Sequence, residues 1–131
     1  MKSEVFSYQF IVPNEAIDER KHVNNLTYLE WCIHAAEAHW KSKASLEMQK
    51  NFVWYVLRHH IEYKAAAFED EKLQIETWVT SSEGVRSERN FKIFRIKDQK
   101  LLVEASTLWC LLDQKTNRPT KIPEEITTLF L

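Results

Sequence analysis

Glycine is almost absent from this sequence. The 131 residues contain a single one, Gly84, whereas glycine makes up about 7% of an average protein. Phosphate-binding loops, dinucleotide-binding turns and the strand-to-helix turn of α/β hydrolases each need two or more glycines. The sequence therefore excludes the nucleotide-binding classes that depend on these loops, and a serine hydrolase built on that turn.

A surplus of positive charge and a long apolar run are also missing. The 18 Lys and Arg residues face 19 Asp and Glu residues, which gives a formal net charge of -1 and argues against broad electrostatic binding to nucleic acid or anionic lipid. The longest apolar run, residues 52–57, is far too short to span a membrane, and the first residues lack the apolar stretch of a signal peptide. We therefore expect a cytoplasmic protein with no nucleic-acid partner and no membrane partner.

Cysteine and histidine are too sparse for a disulfide framework or a metal site. Cys32 and Cys110 are far apart and form no C-x-x-C motif, so we expect two buried free thiols. Among the five histidines, those at 34 and 39 are too far apart to share a helix face as metal ligands do, and those at 59 and 60 point to opposite sides of a strand. The sequence therefore predicts no metal and no cofactor.

Hydrophobic periodicity predicts one α+β domain over residues 1–131. Residues 5–12 are aromatic and β-branched and end at Pro13, which predicts a first strand. Helical spacing then runs from Asn25 to about Ala44, with Asn24, Asn25 or Thr27 as the cap. Four strands are predicted over 52–67, 72–81, 86–97 and 101–113, and Pro123 begins a short helix or turn. Because the strand connections are too short for parallel crossovers, we expect an antiparallel sheet wrapped around the helix.

The predicted long helix is apolar over most of its circumference, which indicates that other structure surrounds it. Its main stripe consists of Leu26, Leu29, Ile33, Ala36 and Trp40, and Tyr28, Cys32 and Ala35 widen that stripe.

Acidic, basic and amide side chains gather in one aperiodic segment, residues 13–25, directly before this helix. Asp18, His22 and Asn25 lie within it. A helix N-terminus offers unpaired N–H groups and partial positive charge, which can hold a developing oxyanion next to a carboxylate or imidazole. The alternative is a solvated, well-capped loop, which composition alone favours.

The run H-V-N-N at 22–25, followed by L-T-Y-L-E-W at 26–31, resembles the motif of single-domain hotdog-fold acyl thioesterases, relatives of the 4-hydroxybenzoyl-CoA and acyl-acyl-carrier-protein enzymes. Residues 61–64 (IEYK), 73–78 (LQIETW) and 112–126 (LDQKTNRPTKIPEEI) are similar to later parts of that family. The resemblance covers nearly the whole chain. It implies the hotdog fold, a sheet wrapped around one long helix.

The resemblance also implies roles for individual residues. Asp18 falls on the family's catalytic aspartate, which acts as general base or nucleophile in thioester hydrolysis. His22 and Asn25 fall on the H and the last N of the motif, and backbone N–H groups near Asn25 and Leu26 would polarise the thioester carbonyl. Four positions depart from the family pattern, because a carboxylate, an asparagine, a glycine and a glutamate are replaced by Ala16, Arg20, Lys21 and Ala66. A lysine in place of the glycine could change the shape of the loop.

The hydrolase implied by this resemblance would act on acyl-CoA or acyl-acyl-carrier-protein thioesters. We expect Tyr28 and Trp31 to line the near end of an apolar acyl tunnel that favours medium or long fatty acyl or aryl-acyl groups. Candidates to hold the acyl carrier are Arg86, Arg89, Arg118 and Lys121, although solvated surface charge is the alternative for each.

Two alternatives to a hydrolase remain. The departures from the motif favour a non-catalytic acyl-thioester-binding hotdog protein, whereas a hotdog dehydratase would need a glycine-containing histidine motif that the sequence lacks. In either functional class, the exposed edges of a curved sheet predict a homo-oligomer, either a homodimer or a homotetramer.

Overall fold

Five antiparallel strands form one sheet in the order β1-β3-β4-β5-β2, and the long helix α1 packs on one face of it. The computed structural model describes residues 3–131. Its strands are β1 (Phe6–Ile11), β2 (Phe52–Tyr63), β3 (Lys72–Glu83), β4 (Arg86–Arg95) and β5 (Lys100–Asp113), and its helices are α1 (Asn25–Lys43), α2 (Leu46–Asn51) and α3 (Glu124–Thr127). This is the predicted α+β architecture.

The face of α1 that is buried differs from the predicted stripe. Leu26 was expected on the buried side but is 68% exposed, and Leu29 and Ile33 are only half-buried. The sheet instead contacts a face of small and polar side chains, namely Tyr28, Cys32, Ala35, Ala36 and His39. Small residues allow the helix to pack closely on the sheet, and His39 can be buried because both of its ring nitrogens are hydrogen-bonded. The spacing of apolar residues in the sequence does not reveal either feature.

Alternate residues of the central strands face α1 and form the core. On β3, Leu73, Ile75 and Thr77 are fully buried. Their antiparallel partners Phe91 and Ile93 on β4 are buried as well. Burying side chains of this size from several strands against one helix is the main source of stability in a domain like this one.

Two differences from the predicted elements have local causes. Helix α2 was not predicted, because it is six residues long, buries no side chain and is defined by its Ser45 cap, whose hydroxyl accepts the Met48 N–H at 3.1 Å. Strand β2 ends at Tyr63 rather than at 67, because the N–H groups of Lys64 and Ala65 both reach the Leu102 carbonyl and the chain turns away from the ladder.

Both cysteines are buried free thiols, as predicted, and burial raises the pKa of Cys32 to about 12. Within residues 3–131, no three or more His, Cys, Asp or Glu side chains gather in a way that could hold a metal ion. In the same part of the chain, no helix is long and apolar enough to cross a membrane.

A chain of polar contacts lies beneath the second half of α1. Arg89, 5% exposed, donates from Nη1 to His39 Nδ1 at 2.9 Å and to Thr77 Oγ1 at 3.1 Å. Since arginine can only donate, His39 Nδ1 must accept, and its Nε2–H donates to Glu4 Oε1 at 2.9 Å. The other Glu4 oxygen pairs with Lys43 Nζ at 2.6 Å. His39 is therefore neutral. Burial is the largest cause of its lowered pKa, with the Arg89 charge adding to the effect and Glu4 opposing it.

We predict that this histidine makes the fold less stable below neutral pH. The unfolded chain takes up a proton near pH 6.5 and the folded chain resists it, so the stabilisation is present above pH 6.5 and is lost as the pH falls towards the lower folded pKa. Urea unfolding between pH 7.5 and 5.5 should show a slope of up to about 1.4 kcal/mol per pH unit from this group.

His39→Asn should flatten this pH dependence, because an amide oxygen can accept from Arg89 without titrating. His34→Asn, on the exposed side of the same helix, is the matched control and should keep the wild-type slope. Burial also lowers the pKa of His59, but His59 is present in all three proteins and cancels. An unchanged slope in His39→Asn would show that another group is responsible.

Candidate active site

The polar segment before α1 folds into a closed loop held by its own aspartate. Asp18 Oδ1 accepts the backbone N–H groups of Arg20 at 2.9 Å and His22 at 3.3 Å, and the Asp18 N–H donates to the His22 carbonyl at 2.8 Å. Ile17 and Val23 pair as an isolated antiparallel bridge at the base of this loop. Among the described residues, no group hydrogen-bonds to Asp18 Oδ2. One carboxylate oxygen thus shapes the loop and the other is free for a substrate or water.

The lysine that replaces the motif's glycine keeps the turn that a glycine would make. Lys21 has φ 65°, in the left-handed region that glycine adopts without steric cost. Its N–H donates to the Asp18 carbonyl at 3.0 Å, which closes the turn. Lys21 therefore adopts a backbone conformation that glycine would also adopt.

The start of α1 leaves one early backbone N–H free. Asn24 is the cap, and its side-chain oxygen accepts the Leu26 N–H at 2.9 Å, while its carbonyl accepts the Thr27 N–H at 2.9 Å. Of the residues that the structure describes, none accepts the Asn25 N–H. The expectation that Leu26 also polarises a carbonyl is wrong, since its N–H is already taken. The Asn25 carbonyl accepts the Tyr63 hydroxyl at 3.0 Å, which fixes the helix end against β2.

These groups open onto one cavity of about 440 Å³, which we call the loop cavity. Four of the predicted site residues, Asp18, His22, Asn25 and Tyr28, line it together. His22 also packs edge-on against Phe68, with ring centroids 5.3 Å apart. The remaining lining comes from Arg20, Val23, Asn24, Tyr63, Lys64, Ala65 and Ala66. Asp18, His22 and Asn25 therefore border one space of substrate size.

The other predicted binding residues lie elsewhere. Trp31 packs in the core against Tyr28 and Phe10, at centroid distances of 5.5 and 4.8 Å, and does not line the loop cavity. Arg86, Arg118 and Lys121 are exposed and outside that lining. Arg89 was expected at a surface mouth but is buried beneath α1. The alternation of side chains along β4 could have indicated this burial, because Arg89 lies on the same inward face as Phe91 and Ile93.

Two positive side chains of the loop cavity were not assigned a binding role from the sequence. Arg20 and Lys64 both line it. Lys64 has carboxylate neighbours, since its Nζ lies 3.4 Å from Glu62 and 3.6 Å from Glu104. The signal for Lys64 was present in the I-E-Y-K run at 61–64. Arg20 was identified only as a departure from the motif.

Tyr28 ties the loop cavity to the segment that follows β2. Its side chain is 2% exposed, and its hydroxyl oxygen accepts the N–H of the fully buried Ala67 at 2.8 Å. The Ala67 carbonyl in turn accepts the Val23 N–H at 3.1 Å. Burial is the largest cause of the raised pKa of Tyr28, so its hydroxyl stays protonated at neutral pH.

Removing that hydroxyl should destabilise the protein. Tyr28→Phe leaves the Ala67 N–H buried without a partner, and we expect a loss of about 1–3 kcal/mol in the free energy of unfolding, measured with urea. Tyr55→Phe is the matched control, because Tyr55 is 58% exposed, and its effect should stay within about 0.5 kcal/mol. Equal stability of Tyr28→Phe and the wild type would mean that water replaces the lost acceptor.

The curated proteins that resemble this chain include chloroplastic acyl-acyl-carrier-protein thioesterases. The chloroplastic palmitoyl-acyl carrier protein thioesterase of Gossypium hirsutum is 27% identical over 78 residues, 60% of this chain and 19% of the relative. The dodecanoyl-acyl-carrier-protein hydrolase of Cinnamomum camphora is 28% identical over 83 residues, 63% of this chain and 22% of the relative. The match thus spans about a fifth of the length of these curated relatives.

Solved structures share the fold. The 1,4-dihydroxy-2-naphthoyl-CoA thioesterase from Synechocystis superposes with a TM-score of 0.84 at 20% identity, covering 95% of this chain and 94% of that one. The 12:0-ACP thioesterase from Umbellularia californica gives 0.83 at 22% identity, with coverage of 97% and 51%. The hotdog fold is therefore confirmed. The family model for the acyl-ACP thioesterase N-terminal domain matches residues 3–130, so this chain belongs to the acyl-ACP thioesterase family.

Proposed function

We propose that this chain hydrolyses acyl thioesters of coenzyme A or acyl carrier protein in the loop cavity. The observation that carries the proposal is that the free Oδ2 of Asp18 and the free N–H of Asn25 belong to residues lining one cavity. Thioester hydrolysis needs these two groups, a carboxylate to activate water or to attack, and a dipole to hold the oxyanion.

In the general-base route, Asp18 takes a proton from water as the water oxygen bonds to the thioester carbon. The carbonyl oxygen becomes an oxyanion and accepts the Asn25 N–H at the positive end of α1. The C–S bond then breaks, the thiolate leaves, and the proton held by Asp18 passes to the sulfur. A free acid and a thiol result. In the alternative route, a carboxylate oxygen of Asp18 bonds to the thioester carbon, the C–S bond breaks and the thiolate leaves, which gives an acyl–Asp18 anhydride. Water then hydrolyses the anhydride to the free acid and the Asp18 carboxylate, and the proton released protonates the thiolate.

The carrier's phosphate groups would lie near the positive side chains of this cavity. Among the described residues, no carboxylate pairs with the Arg20 side chain, whereas Lys64 lies near Glu62 and Glu104. Arg20 is therefore the better phosphate ligand, in place of Arg86 and Arg118, which lie outside the cavity. His22 contacts Phe68 and would orient the loop around the thioester.

A non-catalytic acyl-thioester-binding protein is the second candidate, and a specific observation favours it. Ala16 and Ala66 stand where the family carries carboxylates, and Ala66 lines the loop cavity. Asp18 is consequently the one carboxylate in the lining of that cavity. If a single carboxylate is insufficient for turnover, the same site binds the thioester without cleaving it.

Thiol release separates the two functions. The protein is incubated with a series from acetyl- to palmitoyl-CoA and with acyl-acyl carrier proteins of matching length, and free thiol is read with a thiol-reactive dye. A hydrolase releases thiol catalytically, and kcat/KM should rise with chain length, because each buried methylene adds about 0.8 kcal/mol. A series that is flat or peaks at acetyl would mean that the apolar side of α1 is core and not an acyl pocket. Binding without thiol release would indicate the non-catalytic protein.

We further propose that the active form is a homo-oligomer of at least two chains, a homodimer or a homotetramer. Strand β2 is twelve residues long and lies at the edge of the sheet, paired within the described chain only with β5. Val53, Tyr55 and Leu57 are exposed along it, and such an edge is prone to pair with another strand. Light scattering at micromolar concentration should give at least twice the 15.6 kDa of one chain. A monomer with full hydrolase activity would rule out a site shared between subunits.

A further inference from the structure

A second cavity lies beneath the other half of α1, and we call it the distal cavity. Its volume is about 300 Å³, and it shares no lining residue with the loop cavity. The second half of α1, the start of β2 and the inward faces of β3, β4 and β5 surround it. Its walls are mainly apolar, formed by Ala36, Trp40, Phe52, Val53, Trp54, Val79 and Phe130.

Arg89 brings a buried positive charge to this apolar space. It is 5% exposed, and its hydrogen bonds to described residues use Nη1 alone, towards neutral His39 and Thr77. No described carboxylate lies within ion-pair distance of Arg89, and the nearest acid of the polar chain, Glu4, is engaged by His39 and Lys43. Burial lowers the pKa of Arg89 to about 10, so the guanidinium stays charged at neutral pH. Nε and Nη2 make no hydrogen bond within residues 3–131, and they keep some accessible surface, since they are not among the fully buried unpaired atoms.

Trp109 supplies a second donor that has no acceptor. Its indole Nε1–H is fully buried and makes no hydrogen bond, and no other buried side-chain nitrogen or oxygen in residues 3–131 is left unpaired in this way. Buried donors are nearly always paired in folded proteins, and an exception calls for an explanation. Arg89 lies opposite Thr107, and Trp109 lies opposite Ser87. Arg89 and Trp109 are therefore diagonal neighbours on one face of the sheet.

The remaining polar groups of the distal cavity are already satisfied or balanced. The Ser87 hydroxyl contacts the Ser81 carbonyl at 3.2 Å and Ser82 Oγ at 3.1 Å. Glu37 and Lys41 are exposed on α1 and carry opposite charges at the edge of the cavity. Arg89 is thus the one charged group in this lining without a described charge to balance it, and Trp109 Nε1 is the one fully buried side-chain donor without a partner in residues 3–131.

We propose that the distal cavity binds a monocarboxylic acid with an apolar chain, which lies against the aromatic walls. Its carboxylate accepts from Arg89 and, once the indole ring turns towards the cavity, from Trp109. A carboxylate matches the planar guanidinium fork and carries a single charge that offsets the charge of Arg89. A phosphate monoester is more strongly hydrated and would lose more solvation among these apolar walls. This site stands independently of the proposed hydrolysis, although a thioesterase would release an acid of this class.

Titration of the full chain with octanoate tests the site directly, by calorimetry and by intrinsic tryptophan fluorescence. Octanol is the matched ligand, since it has the same chain without the charge. We expect octanoate to bind at least 10-fold more tightly than octanol. Trp109→Phe should weaken octanoate about 3- to 10-fold, and Arg89→Met about 10- to 100-fold, as for the loss of a neutral and of a charged hydrogen bond. In both variants, the affinity for octanol should fall by a smaller factor than the affinity for octanoate.

Trp109→Phe keeps the test decisive if Arg89→Met fails to fold, because it breaks no hydrogen bond of the free protein. The smaller ring affects octanoate and octanol alike, so the ratio of the two affinities isolates the donor. Asp18→Asn should bind octanoate as the wild type does, which separates the distal cavity from the loop cavity and keeps this result independent of whether thioesters are cleaved. Equal affinity for octanoate and octanol, unchanged octanoate binding in Trp109→Phe, or loss of binding in Asp18→Asn would each overturn the proposal.

Discussion

Asp18→Asn should lower kcat for acyl thioester hydrolysis by about 10²- to 10⁴-fold while leaving the fold intact, the usual size of a general acid–base contribution. The variant separates the two roles of this side chain. Asp18 Oδ1 accepts the N–H groups of Arg20 and His22, and an amide oxygen can accept both in the same way. An amide cannot take a proton from water or attack a carbonyl. The loop therefore keeps its shape and loses its base.

Glu19→Gln is the control for this variant, because it removes a neighbouring exposed carboxylate from the same loop. Its kcat should equal that of the wild type, and urea unfolding should show equal stability for all three proteins. Wild-type turnover by Asp18→Asn would mean that the carboxylate acts only as a structural cap, which is the alternative left open by the composition of the loop.

Asn25→Pro should lower kcat by about 10²- to 10³-fold, the typical cost of removing one oxyanion donor. Proline removes the backbone N–H that we assign to the oxyanion and is well tolerated at the first position of a helix, where the N–H has no intrahelical partner. The preceding residue, Asn24, has φ -60° and ψ 135°, the extended conformation that proline requires of its neighbour. KM should change less than kcat, because the oxyanion forms only in the transition state.

Two controls isolate the N–H from other effects of this substitution. Asn25→Ala removes the side chain and keeps the N–H, so its kcat should stay close to that of the wild type. Leu46→Pro places proline at the first position of α2, where Leu46 is 84% exposed and Ser45 has φ -67° and ψ 163°, and should have no effect on kcat. If Asn25→Ala loses as much activity as Asn25→Pro, the side chain and not the backbone N–H carries the role.

Local signals were enough to predict the elements that hold the loop cavity. The helical spacing after Asn25 and the candidate caps Asn24, Asn25 and Thr27 predicted α1, and the short strand connections predicted the antiparallel sheet. Asp18, His22 and Asn25 were identified because they are close in sequence, so the segment that contains them brings them together. Short-range order of this kind follows from backbone geometry and capping, and does not depend on how distant segments pack.

The residues that the sequence did not place depend on contacts between distant segments. Arg89 could not be placed by charge alone, since its burial is made possible by His39, fifty residues earlier, and by Thr77. Leu26 is exposed because the sheet covers a different face of α1. Helical periodicity alone does not decide which apolar face of the helix is covered. The left-handed backbone of Lys21 shows that a loop can keep a glycine-like conformation when the hydrogen bonds around it are strong enough to offset the strain.

The most direct test of the proposed hydrolysis is an incubation of the wild-type chain with acyl-CoA and acyl-acyl carrier protein in ¹⁸O-labelled water under multiple turnover. Mass spectrometry of the free acid and a thiol-reactive dye then report both products. Hydrolysis through Asp18 predicts equal amounts of acid and thiol over many turnovers, with label in the acid carboxyl, and formation of both products about 10²- to 10⁴-fold more slowly with Asp18→Asn. Thioester that is bound but recovered intact, or equal product from Asp18→Asn, would contradict the proposed hydrolysis.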